Sequence, residues 1–456
     1  VAIGLLTIFA SSLFVSIGTQ LLSATGMHQS LEALSLAREG LEAARSVRDD
    51  DWALLATGTH GIVFTDAAWS FGGTSDTNNG FTRAVEVREL SANERQVVTT
   101  VSWTSPSNRP RSISLATNLS NWRNVSPPPL LTGNWGNPQT LGTLDLGPGV
   151  EGTGVAVRNK LVYMTGIASS NKPNFFVINA LDSQNPSMVA SLAIGPGSTA
   201  LALAGNFAYV SNKDSTNQLS IINISVTSSP MNIRNFRLTG NSEEALSIAA
   251  TGTLVLIGTE GDSGPELYLL DVSDPSMPLI RSTVEIGQNV NRIFIRGDRA
   301  YLATSNGTGE FMVVNIANPN VPFISATRNI PDDDTPAKGM YVNDQDNRAY
   351  VTRHQDSGVS PEINIYDVTN PDAPVLLGAR EFSGDIPSVF AADSLMFLGT
   401  DVSNLEFQIF DVTNPLSMTY YSGLNFPQVI NDMAFENNII YAAVRSNDAL
   451  RIITSQ

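Results

Sequence analysis

The sequence predicts a multidomain chain: a long N-terminal α-helix with an α+β head, then an all-β seven-bladed β-propeller. Three observations predict it. An uncharged apolar run from Val1 to about Ala24 passes into a charged amphipathic stretch ending near Trp52. The next sixty or so residues break into short runs rich in β-branched and aromatic residues. Beyond Leu141, one strand-and-turn unit recurs to the end of the chain.

The apolar run contains no Lys, Arg, Asp or Glu and is long enough, as a helix, to cross roughly 30 Å of hydrocarbon. A secretory signal peptide is the alternative, but that needs a basic start and a small-residue cleavage site, and here the periodic pattern continues. From Ser30, Leu31, Leu34, Leu41, Ala44 and Val47 fall near helical spacing, while Glu32, Arg38, Glu39, Glu42, Arg45 and Arg48 take the other faces. A helix over 1–52 is therefore expected, with 1–24 in a membrane or filament core. Gly4, Gly18, Gly26 and Gly40 would each cost about 1 kcal/mol inside it.

Gly61 to Thr65, Phe81 to Leu90, Arg95 to Trp103 and Arg111 to Leu119 read as strands of a head over 53–122, with TSPSNRP as a hairpin turn. The amphipathic half of the helix offers such a sheet a matching apolar surface. The Pro127-Pro128-Pro129 run then stiffens a linker, 123–137.

The start VAIGLL followed by AREGLEAARSVRDDDW resembles the N-terminal helix of type IV pilins and pseudopilins, the minor-pilin type in particular, and NLSNW at the end of the head resembles the same class. The resemblance covers roughly residues 1 to 122 and implies a pilin-like head. In that family a leader peptidase cuts before a short segment, usually Phe-Thr-Leu-x-Glu, whose Glu pairs with a neighbouring subunit's N-terminus. This sequence starts at Val1 inside the apolar run and contains neither the cleavage Gly nor that Glu. Either the first mature residues precede Val1 or processing differs.

Residues 138–456 read as a repeat. YLLDVSDP, INIYDVTNP and FQIFDVTNP end at Pro275, Pro371 and Pro415, and FVINALDSQNP, LSIINISVTSSP and MVVNIANP are degenerate copies. Each follows a strand of the type RAYLAT, with Tyr163, Tyr209, Leu256, Tyr301, Tyr350, Phe397 and Tyr441 in equivalent places. Their spacing of about 44 to 49 residues suits a four-stranded propeller blade. The last copy lacks its outer strand, and LGTLDLGPG near the start matches VASLAIGPG, the outer strand of the first copy. A closing N-terminal strand over 141–146 is therefore expected. The repeats resemble the LVIVD type found on bacterial surface and secreted proteins. Asp271, Asp367 and Asp411 are read as turn formers, since Asp accepts backbone N–H bonds where a chain turns.

Chemistry is sparse. The net charge of −17, with 43 acidic against 26 basic side chains, repels phosphate backbones and argues against nucleic-acid binding. There is no cysteine, so neither disulfides nor Cys-ligated metals can occur. His28, His60 and His354 lie far apart in the sequence, and His354 has no evident nucleophile or orienting partner. GDSGPE, 261–266, resembles a serine-protease motif but reads as a loop without a suitably placed His and Asp. No cofactor is expected. Calcium is the metal that Asp262, Glu266, Asp332, Asp333, Asp334 and Asp356 would suit, although none follows EF-hand spacing. Asn118, Asn124, Asn223 and Asn306 fit the glycosylation pattern.

The function expected is that of a non-enzymatic structural subunit of an extracellular, type IV pilus-like filament, displaying its propeller outward. Leu5, Leu6, Ile8, Phe9, Leu13, Phe14, Ile17, Leu21 and Leu22 would pack the filament core. The partners implied are further copies of the chain in a helical polymer, the inner membrane before assembly and the pilus assembly machinery. The alternative is a low-copy minor pilin or tip adhesin whose propeller binds a glycan, protein or surface.

Overall fold

The computed structural model describes residues 28–50, 52–65, 68–91, 94–105, 108–120, 131–168, 172–238, 243–261, 264–330, 335–355 and 360–456. The apolar run and its core-packing residues, Leu5 to Leu22, lie outside them. So do Asp262, Asp332, Asp333, Asp334, Asp356 and Asn124. Among the described residues no helix is long and apolar enough to cross a membrane. The chain divides into two units, Val1–Asn124 and Val125–Gln456.

In the first unit, a helix over 28–50 lies on a six-stranded antiparallel sheet. The strands are β1 (Gly58–Thr65), β2 (Ala68–Gly72), β3 (Asp76–Asn78), β4 (Phe81–Ser91), β5 (Glu94–Thr104) and β6 (Pro110–Ser120), in the order β2-β1-β4-β5-β6 with β3 on β4. Ala33, Ala37, Leu41, Ala44 and Val47 of the helix are buried with Val85, Val97 and Val101 of the sheet. Gly40 is a close approach: a Cβ there would stand 2.6 Å from Thr99 Cγ2. Arg83 ties the two layers, donating to Leu36 O at 3.0 Å and pairing with Glu39 and Asp76 at 2.8 and 2.7 Å.

The expected fold class, a long α-helix with an α+β pilin-like head, is overturned here. The structure is nearly all β, 55% strand against 7% helix, with one N-terminal helix. The physical reason is that apolar positions after Gly58 alternate with period two, so the described segments there pair edge to edge as strands, and α-helix among the described residues runs over 28–50. Two strands escaped the sequence reading, Ala68–Gly72 and Asp76–Asn78.

The second unit is built from seven four-stranded antiparallel sheets among the described residues. The innermost strand of each lies beside the next: Glu151–Arg158, Ser198–Ala204, Ala245–Thr251, Val290–Arg296, Ala337–Asn343, Ser388–Ala392, Ile430–Glu436, and back to the first. These are blades 1 to 7 of a closed ring, and closure removes the open edges that a sheet otherwise exposes. Blade 7 takes its outer strand from Pro138–Leu144, here β7, which pairs Leu144 with Leu450 and Pro138 with Ser455. Residues 131–137 join the propeller as well. Trp135 is 3% exposed, packs edge-on against Phe397 at 4.9 Å and donates to Asn438 Oδ1 at 3.2 Å.

The repeat motifs have visible work. Asp271, Asp367 and Asp411 each accept the backbone N–H two residues on, from Ser273, Thr369 and Thr413, at 2.8–2.9 Å. Asn179, Asn223 and Asn315 do the same in the degenerate copies. The row from Tyr163 to Tyr441 is buried between blades.

A candidate ligand channel through the propeller

Seven strands meeting around an axis leave a channel whose lining is one residue per blade at each level. At the first level, six inner strands carry a one-residue bulge: Thr153, Thr199, Leu246, Asn291, Lys338 and Asn431 are the extra residues. Pro387 holds the same place in blade 6. A bulge re-aims its side chain, and all seven line one mouth, a cavity of about 380 Å³. Three of the polar ones knit blades together. Thr199 donates to Ala245 O at 2.8 Å, Asn291 to Ala337 O at 2.8 Å, and Asn431 to Gly152 O at 2.7 Å across the ring closure.

The next level holds an ion pair that crosses the channel from blade 4 to blade 7, Arg292 with Asp432. Asp432 is 4% exposed and also accepts from Val155 N and Met433 N, both at 3.0 Å. A buried carboxylate with three donors is satisfied, whereas one without its guanidinium would be strongly destabilising. Arg292 lines both the first mouth and a second chamber beyond it, whereas Asp432 lines the second chamber alone.

That chamber, about 820 Å³, is walled on one side by Phe294, Tyr341, Phe390 and Phe435. Neighbouring ring centroids stand 5.1, 4.9 and 4.9 Å apart, the first two pairs edge-to-face and the last stacked. These distances suit mutual aromatic packing. The positions equivalent to Phe294, Tyr341 and Phe390 in blades 1, 2, 3 and 7 are Ala156, Ala202, Ala249 and Ala434. Large rings on three blades and alanines on four make the chamber one-sided. Burial pushes the Tyr341 phenol above its ordinary pKa, so the ring wall is uncharged. Glu436, Asn437 and Asn438 rim this end, and the Glu436 carboxylate accepts from Asn159 N and Lys160 N of blade 1 at 2.7 Å.

Sequence-selected residues fare unevenly. His354 does have a partner: its Nδ1 stands 2.5 Å from Asp385 Oδ1, beside the first mouth. No nucleophile is hydrogen-bonded to that pair among the described residues. His28 lies 3.9 Å from Glu32, and His60 stacks on Phe71 at 4.5 Å. Glu266 is fully buried, and one of its oxygens accepts from Ile286 N and Gly287 N at 2.8 and 2.9 Å. Among the described residues no group of three or more His, Asp or Glu side chains could hold a metal ion.

The chain matches the LVIVD repeat over residues 197–237 and 245–285, which are blades 2 and 3. No curated protein matches its sequence. A chain in the crystal structure of the mitotic checkpoint complex is similar with TM-score 0.53 and 14% identity, over 73% of this chain and 95% of that one. The WD40 β-propeller domain of Doa1 aligns with TM-score 0.49 and 13% identity, over 70% of this chain and 97% of that one. An auxiliary nutrient binding protein from Bacteroides thetaiotaomicron aligns with TM-score 0.39 and 11% identity, over 83% and 91%. At these identities the first likeness is one of fold. The chain therefore carries LVIVD repeats within a propeller-like, all-β fold.

Proposed function

We propose that this chain is a non-enzymatic recognition module of the bacterial cell surface, whose propeller binds a glycan or protein group at its channel. The observation that carries the reading is the one-sided aromatic chamber, held on rigid inner strands and floored by the Arg292–Asp432 pair. Concave sites of this volume, mostly apolar with a few fixed polar groups, are where proteins bind organic ligands. The test is binding of the full chain, in detergent micelles, to arrays of surface glycans. Saturable binding that weakens at least tenfold on Tyr341→Ala is expected, since a central aromatic contact is commonly worth 2 kcal/mol or more. Absence of saturable binding, or indifference to Tyr341→Ala, counts against it.

The filament reading is favoured by a separate observation, the uncharged run Val1 to Ala24. On this reading the run packs with its copies in an extracellular polymer that displays one propeller per subunit, hydrophobic burial at about 25 cal/mol per Å² driving assembly. Cryo-electron microscopy of sheared filaments tests it: one propeller per helical repeat is the expected result, and normal polymerisation of Leu6→Asp and Phe14→Asp subunits would refute it.

A further inference from the structure

We infer that the first mouth of the channel is an oxyanion site, which receives a carboxylate carried on a body of monosaccharide size. This rests on the propeller being a recognition module and names the chemistry of a second subsite on it. In a chain of net charge −17, the lining of this 380 Å³ cavity includes four cations, Lys213, Arg292, Lys338 and Arg445, and no carboxylate. The overall field repels anions, so an anion can be held only where cations are gathered.

Three of the four cations are already engaged, to different degrees. Arg292 is spent on Asp432. Lys213 and Arg445 face Glu244 and Glu151 at 3.6 and 3.8 Å, beyond hydrogen-bonding range and with more than half of each cationic side chain exposed. Pairs so placed contribute little, and both cations can turn to a ligand. Lys338 is the distinctive member. Thr199, Asn291 and Asn431 use the bulge position to tie one blade to the next, yet Lys338 has no hydrogen bond or ion pair among the described residues. It is half-buried, and burial draws its ammonium pKa down, with Asp385 acting in the opposite sense. A half-buried ammonium without a bonded counter-ion is destabilising to the free protein, and an oxyanion in the cavity supplies what it lacks. Ile167, Leu246 and Pro387 form an apolar wall for the body of the ligand.

The experiment is calorimetric titration of the full chain, in detergent micelles, with D-glucuronate, inorganic phosphate and uncharged D-glucose. Glucuronate is expected to bind and glucose not, and Lys338→Met should raise the glucuronate Kd at least tenfold, with melting followed to establish that the variant folds. Lys213→Met, at a more exposed position, is the second variant and should weaken binding severalfold. Phosphate binding as tightly as glucuronate, and equally sensitive to Lys338→Met, supports the oxyanion site and assigns it to phosphate-bearing ligands. No binding of either anion, or binding unaffected in both variants, overturns the inference. Glycan binding that responds to Tyr341→Ala but not to Lys338→Met would sink this inference and leave the recognition reading standing.

Discussion

Removing the carboxylate of Glu266 should unpin blade 3. Glu266 stands one residue before the third strand of its blade, Leu267–Asp271, and its Oε2 takes both Ile286 N and Gly287 N just after the outer strand, Leu279–Val284. In Glu266→Ala the Ile286 donor stays buried without an acceptor, whereas Gly287 is exposed and its N–H can turn to water, so the local loss is about 1–3 kcal/mol. Glu266→Gln keeps an acceptor oxygen in reach and should stay within about 1 kcal/mol of the parent, as blade 2 already uses Gln218 to accept Leu238 N at 3.1 Å. The pH dependence separates the parent from both variants. Burial pushes the Glu266 carboxyl above its ordinary value, against the two backbone bonds, which pull it down. The folded state therefore holds the proton to higher pH than the unfolded chain, and stability falls as pH rises from the ordinary carboxylate value through the raised folded one. Glu266→Gln should lack that slope. Amide hydrogen exchange of peptides spanning 279–290 is the assay, because a two-unit chain need not unfold in one step. Parent-like exchange in Glu266→Ala, or parent stability that rises across that window relative to Glu266→Gln, would refute the reasoning.

Three further outcomes are expected. Arg292→Met should lower propeller stability by about 3–5 kcal/mol by stranding the buried Asp432, and adding Asp432→Leu should recover only part of it, because Val155 N and Met433 N then lose their acceptor; thermal melting in a double-mutant cycle measures the coupling. Gly142→Ala would place a Cβ 2.3 Å from Ser183 O, so the closing strand should loosen at a cost of about 1–3 kcal/mol and become cleavable by protease near Pro138–Leu144. Asp367→Ala removes the acceptor for Thr369 N, and blade 5 should lose about 0.5–1.5 kcal/mol, read as faster exchange of that amide.

The repeat was legible because its turn chemistry is local. Asp367 and Thr369, two residues apart, fix the same turn wherever the string occurs, and Asn315 or Asn223 can replace the Asp because either side chain accepts the bond. The buried ties were not read, although they too recur. Asn174, Gln218, Glu266, Glu310, Glu362 and Glu406 each accept a backbone N–H 20 residues on. Their signal is one Asn, Gln or Glu immediately before the third strand of each of blades 1 to 6. A polar residue beside a strand resembles any loop residue until its partner is known. The first unit misled for a related reason. Ala68–Gly72 is one of its two strands outside the sequence reading, and its Trp69 and Phe71 gain meaning only from their partners on β1, Trp69 with Phe64 and Phe71 with Ile62.

The channel was hidden more deeply, since Arg292 and Asp432 are 140 residues apart and meet only because the ring closes. The register of the repeat nevertheless tells where to look. Three residues after each bulge position the seven blades read Ala156, Ala202, Ala249, Phe294, Tyr341, Phe390 and Ala434. A ring serving only as a spacer would be satisfied by one residue type at all seven places, and four alanines already meet the needs of packing there. Rings on three adjacent blades, and the untied Lys338 at the mouth of the middle one, break the repeat without adding a structural bond. Departures from an otherwise consistent pattern tend to mark function. Both fall on blades 4 to 6, so ligand contacts should concentrate on one arc of the propeller rather than around its axis.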